Sequence, residues 1–482
     1  MPLAQSNRTT FHALYVQDRW TRNRLTLQGA LRYERAWSFH PEGENGVPVS
    51  SRFNAAPIVF PRTDSVKGYN DLSPRVGAAY DVFGHGKTAV KVSAGHYLSS
   101  ANNEGNFTIN NPATTFQRTI NRAWVDGNRN FTPDCDLMNP LAQDSRASGG
   151  DLCGPWSNSN FGSRFNTTLV NPDVLEGWGI RPWDWQFGAS VQQEIAPRVS
   201  MEVGYNRRWF GNFFYTDNRA VGPADFDRVT VDAPRYADLP DGGGYPITFV
   251  TVKPDKFGLT ENYYTFASDY GQDTRYWHGV DASVNARTTW GLMLQGGTST
   301  GRGVRNNCAL TALLPETLGT AQVNACDVAE RWMTTLRGLA SYTVPRVDLR
   351  VSATFRSQPA TTPANAVAMN GASLSANYLV SSALVLQAIG RPLAGNLSNA
   401  TVNLINPGQL YQDRLNAVDM MFAKVLHFGA RRADIGIDLY NLFNGNTATA
   451  YNQAFGADGT AWLRPTAILN PRFVRLNVTF TF

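Results

Sequence analysis

WDWQFGASVQQEIAPRVSMEVGYNRRW, residues 183–209, holds two runs that alternate with a period of two. In the first, Trp183, Trp185, Phe187, Ala189 and Val191 oppose Asp184, Gln186, Ser190, Gln192 and Glu194. In the second, Val199, Met201, Val203, Tyr205 and Trp209 oppose Ser200, Glu202, Asn206 and Arg208. Successive side chains of a strand point to opposite faces, so each run is a strand with one greasy and one strongly polar face. The Ala-Pro-Arg between them leaves room only for a tight reversal, which makes the pair a hairpin.

The same pattern recurs. Leu25, Leu27, Gly29, Leu31 and Tyr33 face away from Thr26, Gln28, Arg32 and Glu34, and Val347, Leu349, Val351, Ala353 and Phe355 from Asp348, Arg350, Ser352 and Thr354. The closing FVRLNVTFTF sets Val474, Leu476, Val478, Phe480 and Phe482 against Arg475, Asn477, Thr479 and Thr481. Composition agrees with an all-β chain: of 482 residues, 12% are aromatic and 17% charged, which is too aromatic for disorder. No apolar run approaches the roughly 20 residues of a membrane helix. Alternating transmembrane strands average to mild hydrophilicity, as in the mean hydropathy of −0.30.

The connections separate the remaining all-β architectures. Short turns at 21–23, 83–87, 196–198, 287–290, 344–346 and 427–432 alternate strictly with long segments at about 37–73, 99–182, 210–275, 301–331, 357–411 and 443–470. A soluble sandwich has no reason to gather every short turn at one end. An outer-membrane barrel does, with short periplasmic turns and long extracellular loops. The sequence therefore predicts an antiparallel transmembrane β-barrel in a Gram-negative outer membrane, as a single domain over 1–482. Thirteen strands are predicted, over 11–20, 24–36, 74–82, 88–98, 183–195, 198–209, 276–287, 290–300, 332–343, 346–356, 412–427, 431–442 and 471–482. That count places Phe482 at the periplasmic face and Met1 outside the cell. Single-chain bacterial barrels have even strand numbers, so the expectation is the C-terminal part of a larger barrel.

Net charge is +5, carried almost wholly by Arg, with no basic block of the kind that binds nucleic acid. Residues 1–20 lack the apolar core of a signal peptide. Cys135 with Cys153 and Cys308 with Cys326 share an 18-residue separation in turn-rich sequence, without zinc-type spacing; two loop disulfides are expected.

LYVQDRW and LTLQGALRYE (14–34), LSPRVGAAYDVFGHGKTAVKVSAGHY (72–97), DLYNLFN (438–444) and the aromatic final strand resemble the barrel of TonB-dependent outer-membrane receptors. WDWQFGASVQQEI, VGYNRRWFGNFF (203–214) and HGVDASVNAR followed by GLMLQGGTSTGR resemble the large receptors of soil acidobacteria, the Oar-like type with a carboxypeptidase-regulatory-like domain and a plug before the barrel. The resemblance implies a barrel of about 22 strands, of which thirteen or fourteen would be present. It implies uptake of a bulky nutrient (glycan, peptide or metal chelate) powered by the TonB complex through a plug. No plug, TonB box or regulatory domain is found here. A terminal aromatic strand, Phe480 and Phe482 above all, resembles the signal read by the outer-membrane assembly machinery. Lipid, that machinery, the TonB complex and an extracellular substrate are thus the expected partners.

Among local motifs, DGNRNFTPDCD (126–136) spaces Asp126, Asn128 and Asn130 at alternate positions, followed by Asp134 and Asp136. Hard cations such as Ca²⁺ take oxygen ligands so arranged, although the bidentate Glu of a full EF-hand loop is missing. An Asx-rich loop pinned by Cys135–Cys153 is the competing reading. GGTSTGRG (296–303) lacks the Lys and the Ser or Thr of a phosphate loop and reads as strand. The histidines 12, 40, 85, 96, 278 and 427 are scattered, and no nucleophile set stands out, so no enzyme is expected. Trp20, Trp37, Trp183, Trp185, Trp209, Trp290 and Trp332 fit an interfacial belt, whereas Trp124, Trp156 and Trp178 fall in loops, where sugar stacking competes. Arg32, Glu34, Glu202, Arg208, Arg337, Arg350 and Arg475, with Arg287, Arg356, Glu194 and Asp348, are expected to line the lumen. A non-transporting adhesin or structural barrel, and more weakly a passive porin, also fit this sequence.

Overall fold

The computed structural model describes residues 5–45, 58–117, 119–163, 165–359, 373–429 and 431–482. Met1, residues 46–57 of the 37–73 segment and residues 360–372 of the 357–411 segment lie outside the described residues.

Thirteen long strands run through one antiparallel sheet: β1 (Arg8–Arg22), β2 (Leu25–His40), β3 (Gly68–Asp81), β4 (Thr88–Leu98), β5 (Trp183–Ala196), β6 (Val199–Gly211), β7 (Thr274–Arg287), β8 (Leu292–Asn306), β9 (Met333–Val344), β10 (Leu349–Pro359), β11 (Arg414–Phe428), β12 (Arg431–Tyr440) and β13 (Phe473–Thr481). Each pairs with the next in chain order, a pure meander from β1 to β13. The expected strands are all present, several extended at their loop ends; β2 reaches His40 rather than residue 36, and β3 begins at Gly68 rather than 74. The predicted turns gather at one end. The β1–β2 reversal uses Asn23 at φ 51°, and Arg198 closes β5–β6 at φ 66°. Asp81 secures the longer 82–87 turn by accepting from the Gly84 and Gly86 amides at 3.0 and 2.8 Å.

The sheet leaves its apolar face uncovered. Leu14, Val76, Leu476, Val478 and Phe480 are all more than half exposed, an arrangement that water would penalise and hydrocarbon would not.

The largest buried apolar cluster lies outside the sheet. The long connections, expected to be irregular, fold together into a cap at the opposite end from the short turns. A hairpin of Phe226–Asp232 with Pro246–Val252 comes from the β6–β7 connection. A strand pair, Asn377–Ser381 with Asn399–Asn403, and the helix α1 (Ser382–Ile389) come from the β10–β11 connection. The Ser381 hydroxyl accepts from the Leu384 amide to start α1, and Gly390 ends it in the left-handed region. Ala454–Gly456, from the β12–β13 connection, lies parallel to Asn377–Ser381. Val229, Ile247, Phe249, Val380, Val385, Leu404, Phe455 and Trp462 form one cluster from these three connections. Each such side chain contributes about 1.5–3 kcal/mol on burial. The β8–β9 connection joins through Gln322, whose side-chain amide donates to the Asn403 and Leu404 carbonyls at 3.0 and 2.9 Å. Both disulfides, Cys135–Cys153 and Cys308–Cys326, are formed.

Candidate substrate-binding wall and cap

Strand register decides which side chains share a face. From β2 outward, Gln28 aligns with Gly77, then Ser93, Gly188, Asn206, Gly279 and Gly301. A second row runs Gln192, Glu202, Ser283, Gly297, Arg337 and Arg356. A third joins Arg350 through Ala423 and Gly436 to Asn477. With two-residue alternation, these rows put Arg32, Glu34, Glu202, Arg208, Arg337, Arg350 and Arg475 on one polar face; Arg287 and Arg356 join them. Asp348 instead sits in the β9–β10 turn at φ 45°.

Most of these charges are paired along the wall. Arg208 meets Asp184 at 2.6 Å, Arg350 meets Asp434 at 2.7 Å, Arg475 meets Asp438 at 2.8 Å and Lys91 meets Glu202 at 3.4 Å. Arg32 meets Glu34 at 2.8 Å. Such pairs cost little in a hydrated wall and keep it polar without a strong field of one sign.

At the outer end of β2 and β3 the charges are buried. Arg181, 1% exposed, donates from Nη2 to Glu34 at 2.6 Å and from Nε to Asp71 at 2.8 Å. Its Nη1 donates to the Ser99 carbonyl at 3.2 Å. One guanidinium thus ties both ends of the β4–β5 connection to the wall. Beside it, Tyr264 donates to the Asn106 amide oxygen at 2.7 Å, Asn106 donates to Tyr69 at 2.9 Å, and Tyr69 donates to the Val174 carbonyl at 2.6 Å. Burial drives the Tyr264 hydroxyl well above the usual phenol range, keeping it a donor. Sequence reasoning found Glu34 but missed Arg181 and Asp71.

A cavity of about 1110 Å³ opens against the wall between β1 and β7. Its lining includes Arg75, Tyr97, Arg208, Phe210, Trp277 and Glu330. Arg75 lies over the Tyr97 ring at 4.5 Å and Arg208 over Phe210 at 4.8 Å. Trp277 occupies the space above Gly279 and Gly301, where an added Cβ would come within 2.6 and 2.2 Å of its ring. Glu330, from the β8–β9 connection, is 4% exposed and accepts from the Gly303 amide at 3.1 Å, while its Oε1 has no partner among the described residues. Burial raises its carboxyl to about 7. Flat rings, guanidiniums and amides around a hydrated hollow can hold a polar solute through stacking and charge-assisted hydrogen bonds.

The 126–136 segment is a network of Asx turns. Asp126 accepts from the Asn130 and Phe131 amides at 3.2 and 2.9 Å. Asn128 and Asn130 both turn on Asp134, at 2.5 and 3.2 Å, while Asp136 accepts from the Met138 amide. Among the described residues no three His, Cys, Asp or Glu side chains converge as a metal site. Residues 296–303 lie within β8, as expected.

The model for the outer membrane beta barrel domain family matches residues 2–295, more than half of the chain. The chain belongs to that family. This barrel-domain protein therefore resides in the cell outer membrane, with β1–β13 as its membrane-facing sheet. No curated protein matches it. Among solved structures, it is similar to the ferric-catecholate import receptor Fiu from K12 E. coli, at 12% identity and TM-score 0.45, covering 98% of this chain and 45% of that one. It is also similar to the outer membrane transporter YddB from Escherichia coli, at 10% identity and TM-score 0.48, covering 98% and 54%. The ferripyoverdine receptor of Pseudomonas aeruginosa matches at 11% identity and TM-score 0.41, covering 99% and 39%. The chain thus spans about half, or less, of the length of these structures.

Proposed function

We propose that the chain is the barrel portion of a TonB-dependent receptor that takes up a bulky nutrient, either a glycan, a peptide or a metal chelate. The supporting observation is the continuous polar face from β1 to β13, topped by loops folded into a cap of their own. The cap would capture the solute, the Arg–aromatic hollow would hold it, and the paired wall charges would give it a hydrated path. Energy would come from the TonB complex acting on a plug. The resemblance of residues 14–34, 72–97 and 438–444 to receptor barrels supports the same reading. The test is uptake by cells expressing the complete gene product, screened over glycans, peptides and metal chelates, with and without a working TonB complex. Uptake that ignores TonB in every class would overturn it.

A non-transporting adhesin is the second reading, favoured by the same independently cored cap. Cells expressing the chain would then gain surface attachment and no uptake.

We also propose the 126–136 loop as a Ca²⁺ ligand set. Turning the Asn128 and Asn130 amides over would place two carbonyl oxygens beside the Asp134 carboxylate. Proteolysis of the loop should then slow in Ca²⁺ relative to chelator; equal rates would remove the idea.

A further inference from the structure

The outward face contains charges that a lipid-facing surface should not carry. Register puts Arg207 of β6 opposite His278 of β7, and His278 opposite Arg302 of β8. These three form one row across adjacent strands, on the face shared by Val203, Tyr205 and Val280 and opposite to that of Arg208 and Trp277. Arg207 lies four residues from the outer end of β6 at Gly211, and Arg302 four from that of β8 at Asn306. At about 3.3 Å per residue, the row lies roughly 13 Å along the strands from their outer ends, in the outer half of the sheet.

Among the described residues no carboxylate pairs with it. Arg207 contacts the Tyr276 ring at 4.8 Å and has no hydrogen-bond partner among the described residues. Arg302 lies over the Trp332 ring at 5.2 Å and donates from Nε to the His278 Nε2 at 3.2 Å. His278 is itself ringed by Tyr205, Tyr276 and Trp332. Asp273, which lines the same cavity as Arg207, is already paired with Arg275 at 2.7 Å. Beside Arg207 a cavity of about 700 Å³ is walled by Phe187, Tyr205, Trp209 and Tyr276, with the polar segment Gln272–Arg275 on its remaining side.

An unpaired Arg on the lipid face of a barrel costs up to about 2–4 kcal/mol at the midplane and little at the interface. Two of them, two strand spacings or about 10 Å apart, repel each other unless an anion lies between. Guanidiniums bind phosphate through paired N–H donors, and the aromatic side of the hollow beside Arg207 suits an acyl chain.

We propose that Arg207, His278 and Arg302 form a binding site for an outer-leaflet lipid whose head group carries phosphate. The phosphate lies across the two guanidiniums, and an acyl chain fills the hollow beside Arg207. The site is independent of any solute in the lumen.

The full chain in phosphatidylcholine nanodiscs, doped either with bisphosphorylated lipid A or with its dephosphorylated form, tests this by native mass spectrometry of the retained lipid. Wild type should retain the phosphorylated lipid selectively. Arg207→Gln combined with Arg302→Gln should retain roughly tenfold less or lower still, the loss of two charge-assisted contacts. Arg346→Gln, in the β9–β10 turn at the other end, should retain as much as wild type. Equal retention of both lipids by wild type overturns the proposal, as does undiminished retention by the double variant. If that variant fails to insert, the wild-type comparison decides alone.

Discussion

At the scale of single residues, the most consequential group is Arg181, which no periodicity marks because it lies in the non-repeating lead-in to β5. Its guanidinium is the only link between Glu34 and Asp71 among their described contacts, and removing it would leave the buried Asp71 carboxylate without a cation and Glu34 held by Arg32 alone. Arg181→Met should therefore destabilise the outer end of β2–β3 by about 3–5 kcal/mol, seen as a lower thermal transition and faster proteolysis within 99–182. An unchanged protease pattern would contradict that role. Glu330 gives a pH dependence with a defined sign. Burial raises its folded-state carboxyl to about 7, above the ordinary glutamate value of 4.5, so the folded state binds the extra proton between those values. Stability should fall as pH rises through that window and level off above it, by at most about 3 kcal/mol. Melting at about pH 5 and about pH 8 should differ for wild type and much less for Glu330→Gln; equal pH slopes would exclude Glu330 as the source. Arg207 shows where residue-level reading fails. It breaks the alternation of VSMEVGYNRRW, so a pattern search skips it, and only register reveals that its neighbours across the sheet are His278 and Arg302.

At the scale of elements, the thirteen strands were legible because each one reports its own burial. A strand between lipid and a wet lumen must alternate, and the alternation survives in sequence regardless of what the rest of the chain does. The cap was not legible for the opposite reason. Its core draws a few residues each from three connections, such as Val229 and Ile247, Val380 and Val402, and Phe455 and Trp462. The local signals are short: ITFVTV (247–252) alternates and SALVLQAI (382–389) lies between Ser381 and Gly390, but neither tells that segments of three connections share one core. The candidate site divides the same way: wall residues on strands were found, whereas Arg181, Trp277 and Glu330 depend on contacts between distant segments. If the cap is one cooperative unit, truncating its centre should loosen all three connections together. Phe455→Ala, which empties a ring packed against Tyr236, Tyr378 and Trp462, should cost about 3–5 kcal/mol. Limited proteolysis should then cut within 212–273, 373–413 and 441–472 alike, while the sheet keeps its heat-modifiable gel mobility. Cutting confined to 441–472 would show three independent loops instead.

At the scale of the whole molecule, the polar face and the apolar face belong to different solvents, and the chain must be delivered to the boundary between them. The sheet cannot do this by its own stability in water, since its outward face leaves Val474, Leu476, Val478 and Phe480 each more than half exposed. Phe482 is 94% exposed and lies beyond the last ladder pair, Arg432 with Thr481. It therefore adds almost nothing to the packing of the folded sheet. The proposed role of the final aromatic strand as a signal to the assembly machinery would act before folding and so predicts an effect on insertion rather than on the folded state. Deleting Phe482 should accordingly reduce the amount of protein inserted in the outer membrane several-fold. The fraction that does insert should keep the wild-type urea midpoint and heat-modifiable mobility. Membrane fractionation followed by denaturant titration separates the two quantities. Equal yield from the deletion would end the recognition role, and a yield loss matched by a lowered urea midpoint would move Phe482 from recognition to packing.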